Sequence, residues 1–393
     1  MTPLGIDLGT TYTVGAIRGE VLLLSDGDAK SALLPSVVAF PPNGKIFVGR
    51  SARERVVMDQ QNTIRSAKRI IGETWHSYQT KRYREHYGYH LVMNDDQGVA
   101  FDTRAGWITP DEVATLIVAT LCSRCHLEPE QCSPVVTIPA SFQEPQSVAT
   151  IKAIQAVGFH QAYLMDEPVA SVIAYIEHSN LKYGAVYDFG GGTFEIAILD
   201  CSRLPFRVIG FGSDSYLGGD DIDYALASWA IDEALKRFGW DLGSDPETFN
   251  RLIMASEAAK IRLSEVESSE IALNEIDPAA PSDLGRLIID RNLVWDLCAT
   301  IIRRTFSLCD EALDRAKVKA GQIEAVFLAG GSTLLPGIGN YVADYFGSRP
   351  RSDVNPMHVV SIGASLAAAR SSIMSSLPKI GSLSRIAAGR GSC

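Results

Sequence analysis

Two short segments of this chain share one pattern: an apolar strand, an aspartate, glycines, a threonine and an aromatic residue. The first, at residues 5–12, reads GIDLGTTY, and the second, at residues 188–194, reads DFGGGTF. An apolar run follows each of them, at 14–17 and at 196–199, so each segment predicts a β-hairpin with a glycine-threonine turn. Glycine lets the backbone come close to a ligand and point its N–H groups at an anion, and threonine adds a hydroxyl donor. Two such hairpins facing each other would grip a phosphate chain from both sides.

The composition is that of an acidic globular protein. The 393 residues, 46% hydrophobic and 21% charged, suffice for two or three domains with a large core. The net charge of −10 argues against non-specific binding to nucleic acid or to an anionic membrane. The longest apolar run, at 359–369, is shorter than the roughly 18 residues of a membrane span. No basic and apolar signal region precedes the first hairpin, so we expect a cytoplasmic location.

The cysteines allow one alternative chemistry. They number seven, an odd number in a long chain, so we expect them to stay reduced. Cys122, Cys125 and His126 match the spacing of a c-type haem motif and loosely that of a metal site. However, residues 109–112 read TPDE, a capping box with proline at the first helical position. The helix that begins there would place the two cysteines on its last turn as small core residues, which is the interpretation we favour.

The repeated hairpin divides the chain into two lobes in which buried strands alternate with helices, the pattern of an α/β fold. Residues 323–333 predict a third loop of the same kind, a buried strand followed by a glycine turn and a helix, facing a phosphate or nucleoside. Lobe I is predicted to span 1–176, with an insert at about 32–105 that includes a tyrosine-rich surface subdomain. Lobe II is predicted to span 177–370, with an insert at about 214–290. Residues 371–393 are predicted to form a disordered Ser/Gly-rich tail.

Together these motifs resemble the ATPase region of the DnaK-type chaperones, the heat-shock protein 70 family. The resemblance implies the actin-like ATPase fold, with duplicated ribonuclease H-like lobes around a nucleotide cleft. The order and spacing hold over about residues 3–370, and a sugar kinase of this fold would not be expected to carry the AKR or LGG segments. Besides the hairpins, the matching segments are LPS at 34–36, NT at 62–63, AKRIIG at 67–72, VTIPA at 136–140, DEP at 166–168, LGGDD at 217–221 and AGGST at 329–333.

The resemblance also implies a role for each matching position, with ATP or ADP and Mg²⁺ as cofactors. The acids that hold the metal through water would be Asp7, Asp188 and Glu195. The catalytic residues would be Lys68, which reaches the γ-phosphate and the attacking water, Glu167, which orients that water, Asp188 and Thr193. The nucleotide contacts would be Gly9, Thr10, Thr11, Tyr12, Gly190, Gly191, Gly192, Thr193, Gly218, Gly219, Glu257, Lys260, Ser264, Gly330, Gly331 and Ser332. This chemistry is plausible in itself, because phosphoryl transfer depends mostly on positioning and charge neutralisation.

Some of these residues also have an ordinary structural explanation. Lys68 alone could be a solvated surface lysine. Glu167 could be a helix-start acid favoured by the helix dipole. Glu257 and Lys260 could be a simple pair on a helix surface.

Several positions depart from the family pattern around the nucleotide. Glu195 stands where an aspartate is usual, and its extra methylene could crowd a hydrated metal and slow hydrolysis. Leu334 and Ile261 stand where an arginine and its frequent partner lie against the adenine. A cation–π contribution of roughly 0.5–2 kcal/mol would be lost there. Met357 replaces an acid, so we expect a lower ATP affinity or an altered nucleotide preference.

Other departures concern communication with partners. Tyr163 stands where the family has the arginine that receives a J-domain cochaperone, which puts J-domain docking in doubt. Ser147 and Ile151 stand where basic residues relay the nucleotide state, although Pro139 is kept. The sequence also shows no interdomain linker and no peptide-binding domain. We therefore expect an ATPase-only protein.

The resulting prediction is a cytoplasmic, Mg²⁺-dependent ATP-binding protein with weak ATPase activity. It would act as a nucleotide-controlled two-lobe switch on a protein partner or co-chaperone, not on nucleic acid or a membrane. One alternative is a non-hydrolysing scaffold or regulatory module of the same fold. An actin-like filament former and a small-molecule kinase are the remaining possibilities.

Overall fold

The structure is a computed structural model, and it describes residues 1–25, 31–176, 181–281 and 284–378. The strands are β1 (Thr2–Leu8), β2 (Tyr12–Ile17), β3 (Glu20–Val21), β4 (Leu34–Pro35), β5 (Val37–Ala39), β6 (Phe47–Val48), β7 (Thr63–Arg65), β8 (Leu91–Met93), β9 (Val99–Thr103), β10 (Gly106–Ile108), β11 (Cys132–Ile138), β12 (Tyr163–Asp166), β13 (Tyr183–Phe189), β14 (Phe194–Asp200), β15 (Arg207–Asp214), β16 (Ser268–Ala272), β17 (Arg286–Asp290) and β18 (Ala325–Ala329). The α-helices are α1 (Arg50–Arg53), α2 (Tyr78–Tyr87), α3 (Pro110–Arg124), α4 (Glu144–Ala156), α5 (Glu167–Tyr175), α6 (Gly219–Phe238), α7 (Pro246–Arg262), α8 (Leu273–Ile276), α9 (Arg291–Ala316), α10 (Ile338–Phe346), α11 (Val359–Ala368) and α12 (Ser371–Met374).

The two lobes are built on sheets with the same arrangement. In lobe I the strand order is β12-β11-β1-β2-β3, and in lobe II it is β18-β13-β14-β15. Each sheet has an antiparallel hairpin, β1–β2 or β13–β14, whose first strand also pairs in parallel with a later strand, β11 or β18. Because the first strands of both hairpins are central and covered on both faces, they read as nearly continuous apolar runs. The sheets therefore repeat, as the two similar hairpins predict.

Two helices fill the space between the sheets. Although α11 lies near the end of the described chain, it crosses back to pack on α5 and on β1 of lobe I. The approach is close because it uses glycines: a Cβ at Gly363 would lie 1.7 Å from the carbonyl oxygen of Ala170, and a Cβ at Gly5 would lie 2.3 Å from the backbone nitrogen of Ser365. Apolar side chains of both sheets join α5 and α11 in one buried cluster. This cluster ties the lobes together beneath the cleft.

Helix α3 begins and ends as its sequence predicts. The Thr109 backbone N–H donates to Glu112 Oε2 (2.7 Å), and the Glu112 N–H donates to Thr109 Oγ1 (3.3 Å), which completes the capping box. Cys122 is buried on the last turn of the helix, and burial raises the pKa of its thiol to about 12. The cysteines within the described ranges are free thiols, and no group of three potential metal ligands occurs in those ranges.

The tyrosine-rich insert of lobe I is a folded layer that shares the hydrophobic core of that lobe. It contains α2 and the three-stranded sheet β10-β9-β8. Tyr83, Tyr87 and Tyr89 are all buried there, and the rings of Tyr83 and Tyr89 stack with centres 5.8 Å apart. The phenol rings thus serve as core side chains, which the polar composition of this stretch did not suggest.

The first part of the predicted disordered tail is folded. Helix α12 places Ile373 in the buried cluster between the lobes, and the Leu164 N–H donates to the carbonyl oxygen of Pro378 (3.3 Å). Residues 379–393 of the predicted tail lie outside the described residues. Of the helices in the described ranges, none combines the length and hydropathy that crossing a membrane requires.

Candidate functional site

A cleft of about 440 Å³ lies between the lobes where the two hairpin turns meet. Its walls contain most of the residues predicted from the sequence. From lobe I these are Asp7, Gly9, Thr10, Thr11, Tyr12, Lys68 and Glu167, and from lobe II they are Asp188, Gly190, Gly191, Thr193, Glu195, Gly330 and Gly331. The structure therefore brings the three glycine turns, the lysine and the acids to one place.

The glycines of the turns are required by the close approach of neighbouring atoms. A Cβ at Gly191 would lie 2.5 Å from Thr11 Oγ1, so the second hairpin turn touches the first across the cleft. At Gly330 the backbone has φ of 81° and ψ of 143°, a region that essentially only glycine occupies. A Cβ there would lie 2.4 Å from the backbone of Phe189. The third turn is thus pressed against the end of β13.

Hydrogen bonds join the glycine segments of lobe II into one unit. The carbonyl oxygen of Gly190 accepts from the Gly219 N–H (3.0 Å) and from Ser332 Oγ (2.8 Å). Lys260 Nζ donates to the carbonyl oxygen of Gly219 (2.8 Å). A Cβ at Gly218 would lie 2.5 Å from the carbonyl oxygen of Gly191, so this segment also needs glycine. Motifs far apart in sequence therefore form one hydrogen-bonded unit, in which Gly190 and Gly191 line the cleft and Gly219, Lys260 and Ser332 lie behind them.

The acids of the cleft surround a single lysine. Lys68 Nζ pairs with Glu167 Oε1 at 2.6 Å, and both side chains are nearly buried. The pKa of Asp7 is raised to about 7 and that of Asp188 to about 8, first by burial and then by the charge of Glu167, against the opposing effect of Lys68. Carboxylates buried together with only one ammonium group favour the binding of a further cation, and oxygen ligands suit Mg²⁺. Among the described residues no three such acids lie close enough together to bind one cation directly, so these carboxylates suit Mg²⁺ only through bridging water, and that binding stays a prediction.

Glu195 lies beside Asp188 in the same hairpin. The two residues are cross-strand partners, and Glu195 Oε1 accepts a hydrogen bond from the Ser141 N–H of lobe I (3.2 Å). Burial, and after it the charges of Glu167 and Asp188, raise the pKa of Glu195 well above its usual range. This environment favours the neutral carboxyl group in the absence of a cation.

The predicted adenosine contacts are only partly assembled. Glu257 lines a neighbouring cleft of about 570 Å³. Lys260 pairs with Asp223 at 2.8 Å, and burial raises the pKa of Asp223 to about 7 against the opposing effect of that lysine. Ser264 is exposed, just beyond the end of α7. These three residues do not converge on one cavity, so their common role stays a prediction.

The apolar residues at the expected base position are open to solvent. Ile261 is 55% exposed and Leu334 is 44% exposed. Gly331 faces Met357, whose nearest side-chain atom would lie 3.4 Å from a Cβ at position 331. Ile261, Leu334 and Met357 therefore offer an adenine base only apolar side chains.

Sequence reasoning missed Arg53, which lines the neighbouring cleft and connects the lobes there. It lies at the end of α1, donates from Nη1 to the hydroxyl of Tyr12 (2.6 Å) and forms an ion pair with Glu257 of lobe II. Nothing near Arg53 in sequence indicates this role, because both partners come from distant segments. Pairing it with Glu257 in advance would have required the position of α7 relative to lobe I.

A comparison with protein families decides the interpretation of these motifs. The family described as Hsp70 protein matches residues 3–376 of the 393 residues. The chain belongs to the Hsp70 family. Membership in the Hsp70 family confirms the actin-like ATPase fold and a chaperone-like ATP-binding function. Hsp70 proteins generally bind ATP or ADP with Mg²⁺ and act on protein partners.

The Arg53 ion pair yields a first prediction. Replacing Arg53→Gln removes one connection between the lobes, so we expect bound nucleotide to dissociate about two- to fivefold faster, the range of a partly exposed ion pair. The measurement is stopped-flow release of a fluorescent ADP analogue at low and high salt, and the difference should shrink as salt increases. Arg50→Gln, an exposed arginine on the same helix, is the matched control. Equal acceleration by both variants would reject a specific role for the Arg53 pair.

Proposed function

We propose that this chain binds Mg²⁺-ATP between its lobes, hydrolyses it slowly and acts as a nucleotide-controlled switch on a protein partner. The observation that carries the proposal is the meeting of both hairpin turns with the buried Lys68–Glu167 pair in one cleft. The two turns supply backbone N–H groups and hydroxyls to phosphates from opposite lobes. Lys68 supplies a positive charge near the reacting group.

Each group in the cleft has a distinct task in this proposal. Mg²⁺, when bound, supplies charge neutralisation for the phosphates, and Asp7, Asp188 and Glu195 would hold it through water. Lys68 stabilises the charge that develops on the transferred phosphoryl group. Glu167, fixed by Lys68, orients the attacking water. Thr193 offers a hydroxyl to the phosphates from the end of the second turn.

The switch would consist of the two lobes and the nucleotide between them. Above the cluster formed by α5 and α11, the contacts between lobes near the cleft include polar pairs, such as Arg53 with Glu257 and Ser141 with Glu195. Polar contacts exchange with water at low cost, so bound ATP would favour closure and hydrolysis would loosen it. We place this activity in the cytoplasm, with a protein partner and neither nucleic acid nor a membrane as its target.

A non-hydrolysing regulatory module remains the second candidate, and Glu195 is the observation that favours it. Its carboxyl group is buried beside Asp188 and already accepts a hydrogen bond from lobe I. A side chain longer than the usual aspartate at this position would crowd a hydrated metal. Nucleotide binding without useful turnover would then follow.

Two measurements test the proposal and separate it from the second candidate. Calorimetry should show binding of Mg²⁺-ATP that weakens when EDTA removes the metal, and no binding at millimolar nucleotide would refute both candidates. Steady-state phosphate release should exceed that of a Lys68→Ala/Asp188→Ala double variant. Binding with phosphate release equal to that of the double variant would instead establish the non-hydrolysing module.

A further inference from the structure

Tyr216 is a side chain of lobe II that is buried in lobe I. It follows β15 and stands two residues before Gly218. Its side chain belongs to the same hydrophobic cluster as Tyr83 and Tyr87 of the tyrosine-rich insert, and the residue is only 4% exposed. Its ring and that of His86 also meet in an edge-to-face arrangement, with centres 5.4 Å apart. An aromatic ring inserted into the opposite lobe is a contact that opening of the cleft must break.

Two arginines of lobe I lie against this ring. The guanidinium carbons of Arg69 and Arg82 are 4.5 Å and 4.3 Å from the ring centre, within the range of cation–π attraction. Arg82 also pairs with Asp214 at 3.7 Å, and Asp214 Oδ1 accepts a hydrogen bond from the Tyr216 N–H at 2.8 Å. We refer to Tyr216, Arg69, Arg82 and Asp214 as the Tyr216 latch.

The latch is connected directly to the second hairpin turn. Arg69 Nη2 donates to the carbonyl oxygen of Gly192 at 2.8 Å, and a Cβ at Gly192 would lie 1.8 Å from the same nitrogen. Beyond Tyr216, the Gly219 N–H donates to the carbonyl oxygen of Gly190 at 3.0 Å. The turn is therefore hydrogen-bonded to Arg69 of the latch and to Gly219, which follows Tyr216 in the chain. A displacement of the ring would move the turn away from the first hairpin.

We propose that Tyr216 is a positioning residue that holds the second hairpin turn against the first and thereby retains the nucleotide phosphates. This inference rests on the proposed function, because it assigns the nucleotide to this cleft. Tyr216 touches the arginines rather than the reacting atoms. Its loss should therefore act first on nucleotide retention and on lobe opening.

The test compares Tyr216→Ala with Tyr216→Phe, which keeps the ring face toward both arginines. Tyr341→Ala is the control, since Tyr341 is a half-exposed tyrosine of α10 that packs on Trp295 within lobe II. One readout is the dissociation rate of a fluorescent ADP analogue. The other is hydrogen exchange of α2 in nucleotide-free protein, which reports on the latch independently of ligand.

We expect Tyr216→Ala to release the analogue about tenfold faster and to exchange faster in α2, since losing two cation–π contacts and ring burial amounts to a tenfold change or more. Tyr216→Phe should stay within about twofold of the unmodified protein, as should Tyr341→Ala. Equal release by Tyr216→Ala and the unmodified protein, or equal losses in the Ala and Phe variants, would overturn the proposal.

Two further outcomes are also decisive. If Tyr216→Ala does not fold, Arg82→Ala replaces it, because Arg82 is partly exposed and lies on the same ring. Release accelerated severalfold would then support the latch, and an unchanged rate would overturn it. If the unmodified protein binds no nucleotide, the proposed function fails, whereas hydrogen exchange still decides whether Tyr216 holds the lobes together.

Discussion

Replacing Lys68→Ala should reduce steady-state ATP hydrolysis by about a hundredfold or more while nucleotide binding is largely retained. The loss of one preorganised positive group in a water-poor site typically has an effect of that size on turnover. Lys68 is the ammonium group paired with Glu167 in the cleft, and it lies among the acids Asp7 and Asp188. Binding should persist because the hairpin turns would contact the phosphates through their own backbone. Phosphate release and calorimetry on the same preparation measure the two quantities.

A matched control separates the catalytic effect from a general loss of charge. Lys81→Ala removes an exposed lysine of α2, so its turnover should equal that of the unmodified protein. The double variant Lys68→Ala/Glu167→Gln addresses the acid that Lys68→Ala leaves without its buried partner. Because Glu167 is itself assigned to the attacking water, the double variant serves only to compare stability, and lost turnover in a Lys68→Ala protein that is still folded assigns the lysine to catalysis. Turnover of Lys68→Ala equal to that of the unmodified protein would reject this role.

Local motifs predicted which residues meet at the centre of the cleft. The residues from Asp7 to Tyr12 and from Asp188 to Thr193 belong to short hairpins, whose geometry is determined by neighbours in sequence. Lys68 and Glu167 each lie within a recognisable segment. For such residues, the backbone pattern and the side-chain chemistry are visible in the same few positions.

The contacts between the lobes could not be predicted from the sequence. Arg53 and Tyr216 depend on partners that only tertiary packing brings near, and neither carries a local signal. The predicted adenosine residues show the converse. The resemblance assigned Glu257, Lys260 and Ser264 to one contact, whereas Ser264 lies exposed in the structure. The sequence likewise did not predict that α11 packs on lobe I. Its small residues permit a close approach but do not indicate which helix they contact.

Two adjacent glycines of the third turn, Gly330 and Gly331, should respond very differently to substitution by alanine. Gly330→Ala should abolish nucleotide binding and lower the thermal midpoint, whereas Gly331→Ala should leave both nearly unchanged. At Gly330 a Cβ would lie 2.4 Å from the backbone of Phe189 and 2.5 Å from Asp188 Oδ1, in a backbone region essentially reserved for glycine. The strain and the clash together cost about 3 kcal/mol or more, and relieving them must displace β13 or the Asp188 carboxylate.

Gly331 is the matched control because the same substitution meets only a flexible side chain. A Cβ there would lie 3.4 Å or more from Met357, an ordinary contact, and its backbone does not have a positive φ. Calorimetry with Mg²⁺-ATP measures binding, and circular dichroism establishes that each variant is folded at the temperature used. Binding retained by Gly330→Ala would mean that β13 and the third turn can separate without loss of the site. Equal loss in both variants would mean that the turn contacts the nucleotide through Gly331 as well, so that space for the ligand rather than backbone strain requires both glycines.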